Sequence, residues 1–173
     1  RIGLDGSLGN RGDEAGEMGD NLPAVDLGDG QRAVHVVISQ SSRTCVITDV
    51  GALKCFSWGG TPQEVYLGAG RSVVSIALSG DHSCALLDDG SIKCWGNNRN
   101  GQLGDGGTSR STTPVAVSGI DNATAISLGA IHSCALLADG SIKCWGNNVN
   151  GQLGNGSTSD SATSVAVSGI NDA

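Results

Sequence analysis

Residues 82–104, HSCALLDDGSIKCWGNNRNGQLG, return at residues 132–154 with only two changes, Asp88 to Ala138 and Arg99 to Val149. A near-copy at this period marks a repeat architecture, in which stacked units share one continuous core. The register extends in both directions. PVAVSGIDNA (114–123) is echoed by SVAVSGINDA (164–173), a worn copy occupies residues 43–60 (RTCVITDVGALKCFSWGG), and GSLGN at residues 6–10 matches GQLGD at 101–105. The chain therefore divides into a loop segment that ends a preceding unit (1–22), a worn repeat (23–60), a second repeat (61–113), a third (114–163) and the first strand of a following unit (164–173). Position 1 is Arg and no secretory signal pattern follows it, which reads as a piece of a longer polypeptide.

Each repeat holds four short strand-like runs. In the middle copy these are residues 72–78, 82–87, 91–95 and 114–117, the last opening on Pro114, where no ladder donor is lost. No window is apolar at i, i+3, i+4, i+7 for three turns, so helical repeats are excluded. Four antiparallel strands in about forty to fifty residues is the make-up of a β-propeller blade. The fold class is all-β: about three four-stranded antiparallel blades of a partial propeller. A blade without a neighbour leaves an apolar face exposed.

The hairpin inside each blade has a derivable register. Gly90 suits the left-handed position that ends a three-residue loop, a type I turn with a bulge. Leu87 then faces Ser91, Leu86 faces Ile92, Ala85 faces Lys93, and Cys84 faces Cys94 in a pair without hydrogen bonds. Such pairs bring Cα atoms to about 4.5 Å, within disulfide reach. The same arithmetic pairs Cys45 with Cys55 and Cys134 with Cys144. Buried thiols fit less well, and so does zinc on His82, Cys84 and Cys94: structural zinc prefers closer cysteines, and the worn copy has Arg43 in place of the histidine. Three disulfides imply an oxidising address: extracellular, cell-surface or lumenal.

Little else in the chain carries chemistry. The net charge is −7 and the ten basic residues are scattered, which argues against a grip on nucleic acid. There is no run of 18 apolar residues to insert into a membrane. The acidic cluster Asp13, Glu14, Glu17 and Asp20 reads as a solvated loop, since it lacks the regular ligand spacing of a calcium site. Arg11-Gly12-Asp13 reads as a chance triplet. His82 and His132 open equivalent strands and read as hydrogen-bonding residues. No nucleophile elbow or phosphate loop is present, so no catalytic residue, metal or cofactor is expected. The three tryptophans, once per repeat, read as core between blades. Asn122 and Asn155 begin glycosylation sequons.

The string ALLDDGSIKCWGNNRNGQLGDG, with Gly90, Trp95-Gly96 and 101–104 and their copies at Gly140, Trp145-Gly146 and 151–154, resembles the repeat of the regulator of chromosome condensation family. The resemblance is to its cysteine-containing, alpha-tubulin suppressor-like branch of secreted and surface proteins, and implies seven blades in a complete propeller. The expected function is a non-catalytic scaffold for protein partners, or for other copies or segments of the same polypeptide, structural or adhesive in kind. The alternatives are a small-GTPase regulator of the nucleotide-exchange type, which disulfides disfavour, and a secreted inhibitor. Partner contacts are expected where copies diverge: Arg99 against Val149, Arg110 against Asp160, and the acidic loop at 13–20.

Overall fold

The computed structural model describes residues 25–169 apart from 29, 58 and 59. The acidic loop at 13–20 and Trp58 lie outside the described residues. Among the described residues twelve strands form three four-stranded antiparallel sheets. The chain divides into two compact units, Arg1–Val65 and Tyr66–Ala173. The first holds one blade, ordered β1 (Ala33–Ile38), β2 (Thr44–Thr48), β3 (Leu53–Phe56) and β4 (Gln63–Glu64). The second holds two blades: β5 (Val73–Leu78), β6 (His82–Leu87), β7 (Ile92–Gly96) and β8 (Ser111–Ala116), then β9 (Ala123–Leu128), β10 (His132–Leu137), β11 (Ile142–Gly146) and β12 (Ser161–Ala166).

The hairpin register is the one the cysteine spacing requires. Cys84 faces Cys94, Ala85 faces Lys93 and Leu86 faces Ile92, while the Leu87 N–H donates to the Ser91 carbonyl at 2.9 Å. Gly51, Gly90 and Gly140 take the left-handed turn position, with φ of 77°, 78° and 81°. Disulfides join Cys45 to Cys55, Cys84 to Cys94 and Cys134 to Cys144, with Cα atoms 4.1, 4.1 and 4.0 Å apart. Asp89 tightens its turn by accepting from the Ser91 amide and hydroxyl, and Asp139 does the same with Ser141. These bonds hold both exposed carboxyls below the ordinary carboxylate range. The worn blade has Val50 and Ala52 at these places, and Thr48 Oγ1 accepts the Ala52 amide instead.

One expectation is corrected. The fourth strands cross the boundaries expected at 113/114 and 163/164. β8 begins at Ser111 with Pro114 inside it, and Ser161–Ala166 closes the third blade instead of opening a fourth. Proline is tolerated there because β8 is a sheet edge and its pairing is irregular between Cys94 and Gly96. Trp95 and Trp145 face Ser83 and Ser133, and in the worn blade the residue facing Thr44 is Phe56.

Within the second unit the core lies between the two sheets. Cys84, Leu86, Ile92 and Leu103 come from one side, and Ala123, Ala135, Leu137 and Trp145 from the other. Full burial of each large apolar side chain contributes roughly 1.5–3 kcal/mol. The exposed Arg71–Asp89 ion pair at 2.9 Å belongs to a class worth about 0–1 kcal/mol. The two faces, not surface charge, hold these blades together. Among the described residues no helix is long and apolar enough to cross a membrane.

Candidate functional site: the junction between two blades

The asparagine-rich loop after β7 is built around the buried side chain of Asn98. Its Oδ1 accepts the Leu103 amide at 2.9 Å, and its Nδ2 donates to Asp105 Oδ1 at 3.0 Å and the Gly107 carbonyl at 3.1 Å. Asn148 repeats this in the third blade, with the Leu153 amide on one side and Asn155 Oδ1, Ser157 O and Ser159 O on the other. The loop asparagines are thus internal struts.

The strut presses residues 101–104 onto the third blade. A Cβ on Gly101 would stand 2.5 Å from the Ala162 Cα, and one on Gly104 would stand 2.8 Å from Trp145 Nε1. Only glycine permits this approach. The Gly106 amide then donates to the Ala162 carbonyl at 3.0 Å. The Gln102 carbonyl receives two donors from the third blade, Trp145 Nε1–H and the Ser133 hydroxyl, both at 2.9 Å.

His82, fully buried, completes the junction. Its Nε2 lies 2.9 Å from Ser133 Oγ and its Nδ1 lies 2.8 Å from Ser79 Oγ. A carbonyl only accepts, so Ser133 gives its proton to Gln102 and accepts from the His82 Nε2–H. Burial favours the neutral imidazole, in which Nδ1 is bare and accepts from the Ser79 hydroxyl, which also lies 3.0 Å from the His82 carbonyl. Burial lowers the His82 pKa from 6.5 to about 4; the Asp81 carboxylate raises it and His132 lowers it further.

His132 is the counterpart in the third blade, but Gly129 stands where Ser79 does. Its ring lies over that glycine, where a Cβ would come 2.2 Å from Cε1. Among the described residues its imidazole has no hydrogen-bond partner. Sequence reading placed hydrogen bonding at both histidines. It missed Ser79, which no repeat signals because its equivalent is glycine, and the Gln102 carbonyl, which the shared Gln102 and Gln152 mark only as a repeated loop.

The divergent positions fall as follows. Arg99, Arg110 and Val149 are exposed on loops. Asp160 is exposed yet engaged: its carboxylate accepts Asn100 Nδ2 at 3.0 Å, the Asn148 amide at 2.7 Å and Asn147 Nδ2 at 3.2 Å. These donors hold its pKa down, and through Asn100 it ties the loop of the second blade to that of the third. Asn122 is exposed, and Asn155 is half-buried with its Oδ1 accepting from Asn148 and from the Ser157 amide. No group of three or more His, Cys, Asp or Glu placed to hold a metal occurs among the described residues.

Two four-stranded blades packed face to face with the loop of one seated on the other, and three hairpins each bridged by a disulfide, define a partial β-propeller built from repeats. Residues 73–102 and 123–152 match one family model described as the regulator of chromosome condensation (RCC1) repeat, and residues 89–136 match a second so described. Residues 73–152 therefore carry RCC1 repeats. Among solved structures it is similar to Prp20p from Saccharomyces cerevisiae, described with its binding to Gsp1p and histones (TM-score 0.70, 16% identity, 78% of this chain and 38% of that chain). Human WBSCR16 is similar at TM-score 0.69 and 24% identity, over 81% of this chain and 39% of that one. Yeast RCC1 (Prp20) bound to Kap60 gives 0.67 and 22%, over 79% and 35%. The chain spans well under half the length of these proteins, and among curated proteins none matches.

Proposed function

We propose that this chain is part of a non-catalytic propeller that binds protein partners in an oxidising compartment, extracellular, surface or lumenal. The propeller neighbours support a protein-interaction scaffold or a GTPase-regulator kind of function, and three disulfides favour the first because they do not persist in a reducing nucleus. The observation that carries the reading is the division of labour between shared and divergent residues. His82, Asn98, Gln102 and Asn148 are buried in holding blades and loops together, whereas Arg99, Arg110 and Val149 project from the same rigid frame into solvent. Exposed loops on a rigid scaffold are where recognition sits. Asp160, given its internal duty, serves as a clamp. The cysteine pattern fits the secreted branch of the family.

A photo-crosslinker placed at residue 99 or 110 in the producing cell, with one on a shared strand as control, tests this. Crosslinks to a defined protein from the loop positions, with binding by the purified pair weakened in Arg99→Val, are expected. Contacts confined to the shared strands, or a turnover activity that survives purification, would overturn it.

A further inference from the structure

The asparagine-rich loops after β7 and β11 share almost every residue but do not close in the same way. In the third blade the Asp160 carboxylate accepts the Asn148 amide at 2.7 Å and Asn147 Nδ2 at 3.2 Å. Held this way, Asn147 offers its Oδ1 to Gln152 Nε2 at 2.6 Å. In the second blade the equivalent position, one residue before β8, is Arg110. The register is the same, Gly96 facing Ser111 as Gly146 faces Ser161, but a guanidinium has no acceptor to offer.

The exchange orphans two donors of fully buried residues, Asn98 and Gln102. Among the described residues Gln102 Nε2 has no acceptor, and neither has the Asn98 amide, whose counterpart on Asn148 is paired. Buried donors are ordinarily satisfied, and leaving one unmade is costly. The glutamine itself is not displaced: Gln102 Oε1 accepts the Asn100 amide as Gln152 Oε1 accepts that of Asn150. Asn97 is what differs, its Oδ1 capping the exposed Arg99 amide at 3.1 Å. Neither Arg99 nor Arg110 enters an ion pair among the described residues.

We propose that the loop after β7 binds a carboxylate supplied by a protein partner, an Asp or Glu side chain or a chain terminus, at the place Asp160 fills in the third blade. The incoming oxygens accept the Asn98 amide and Asn97 Nδ2. Asn97 turns to do so, gives the exposed Arg99 amide up to solvent, and brings its Oδ1 to Gln102 Nε2. Arg110 swings outward to admit the ligand and closes on it with a charge-assisted hydrogen bond. The ligand is a carboxylate because that group makes these contacts one repeat later. Two internal carboxylates lie near, Asp105 on Asn98 Nδ2 and Asp160 on Asn100 Nδ2. Both are engaged in those bonds, and Arg110 offsets their repulsion of the ligand. The proposal deepens the scaffold reading and rests on it for the source of the ligand, since Arg110 is one of its recognition positions.

An NMR titration of the nitrogen-labelled 173-residue chain with sodium acetate, against sodium chloride at matched ionic strength, tests it. Acetate is expected to give saturable shifts at the Asn98 amide and the Gln102 side-chain amide, with Asn148 and Gln152 unmoved, and chloride none. Arg110→Gln weakens acetate at least about fivefold. Arg110→Asp builds the carboxylate into the loop, so the acetate response is lost and the urea midpoint rises. The titration is repeated with Asp13, Glu14, Glu17 and Asp20 changed to Asn or Gln. Equal affinity in that variant leaves the site to a partner, and binding seen only there overturns the external source. Asn98 and Gln102 amides that ignore acetate, answer chloride equally, or still respond in Arg110→Asp would sink the site itself. An acetate response without loop crosslinks in the cell keeps the site and overturns the scaffold reading; crosslinks without a response do the reverse.

Discussion

His82 Nε2 and the Ser133 hydroxyl, 51 residues apart in the chain, meet at 2.9 Å in a fully buried contact between the second and third blades. Each is half of a donor–acceptor relay that ends on the Gln102 carbonyl. Removing the serine leaves a buried N–H with nothing to accept it, which costs about 1–3 kcal/mol. Ser133→Ala is expected to lose that amount in urea unfolding, and His82→Ala about 2–4 kcal/mol, since it also opens a cavity. The double variant should lose less than the sum, because the second change removes the group the first one orphaned.

The same histidine makes the junction acid-sensitive. Its folded pKa, about 4, lies below the unfolded 6.5, so the unfolded chain takes up the proton first as pH falls. The contribution is fully present above pH 6.5, declines between 6.5 and about 4, and does not decline further below that. The loss across the window is at most about 3 kcal/mol. The depressed carboxyls of Asp89, Asp139 and Asp160 act at lower pH, stabilising above the ordinary carboxylate range and losing that effect as they protonate. Urea midpoints from pH 7.5 to 3.5 should slope downward through the first window in the unaltered chain and flatten there in His82→Gln.

Gly101 and Gly151 form an internal control. Both are left-handed, with φ of 79° and 74°. A Cβ on Gly101 meets the Ala162 Cα at 2.5 Å, whereas one on Gly151 meets only Ser157 O, at 4.0 Å. Gly151→Ala should cost roughly 1–2 kcal/mol from backbone strain alone. Gly101→Ala should cost clearly more, because the loop must lift off the third blade. A fluorescence change from Trp145, which lies against Gly104, should accompany the second and not the first.

The Cys84–Cys94 bridge closes a loop short enough that its entropic contribution is about 2.5–3 kcal/mol. Replacing both cysteines by serine should cost at least this in thermal or urea unfolding, since both sulfurs are fully buried and the hydroxyls would enter the apolar core.

Asn155→Asp should shift stability by no more than about 0.5 kcal/mol. Asp105 does the same work in the second blade, accepting the strut asparagine and the amide two residues on. The substitution also abolishes the sequon, so a mass difference between the two proteins made in a glycosylating host reports on Asn155 with the fold held constant.

What the residues alone determined is local. A glycine that ends a three-residue turn sets the pairing of every residue along its hairpin, so Cys84 had to face Cys94 before any tertiary contact was known. The near-identity of residues 82–104 and 132–154 settled the repeat, since the same pattern must form the same unit twice. Tertiary structure decided the rest, because it depends on which faces meet. Ser133 became the partner of the His82 Nε2 across 51 residues of chain. Asp160, which reads as a free surface difference from Arg110, lies beside Asn100 and Asn148 only once two loops are packed together. Contacts between distant residues follow from the packing of whole sheets, and spacing along the chain does not encode it.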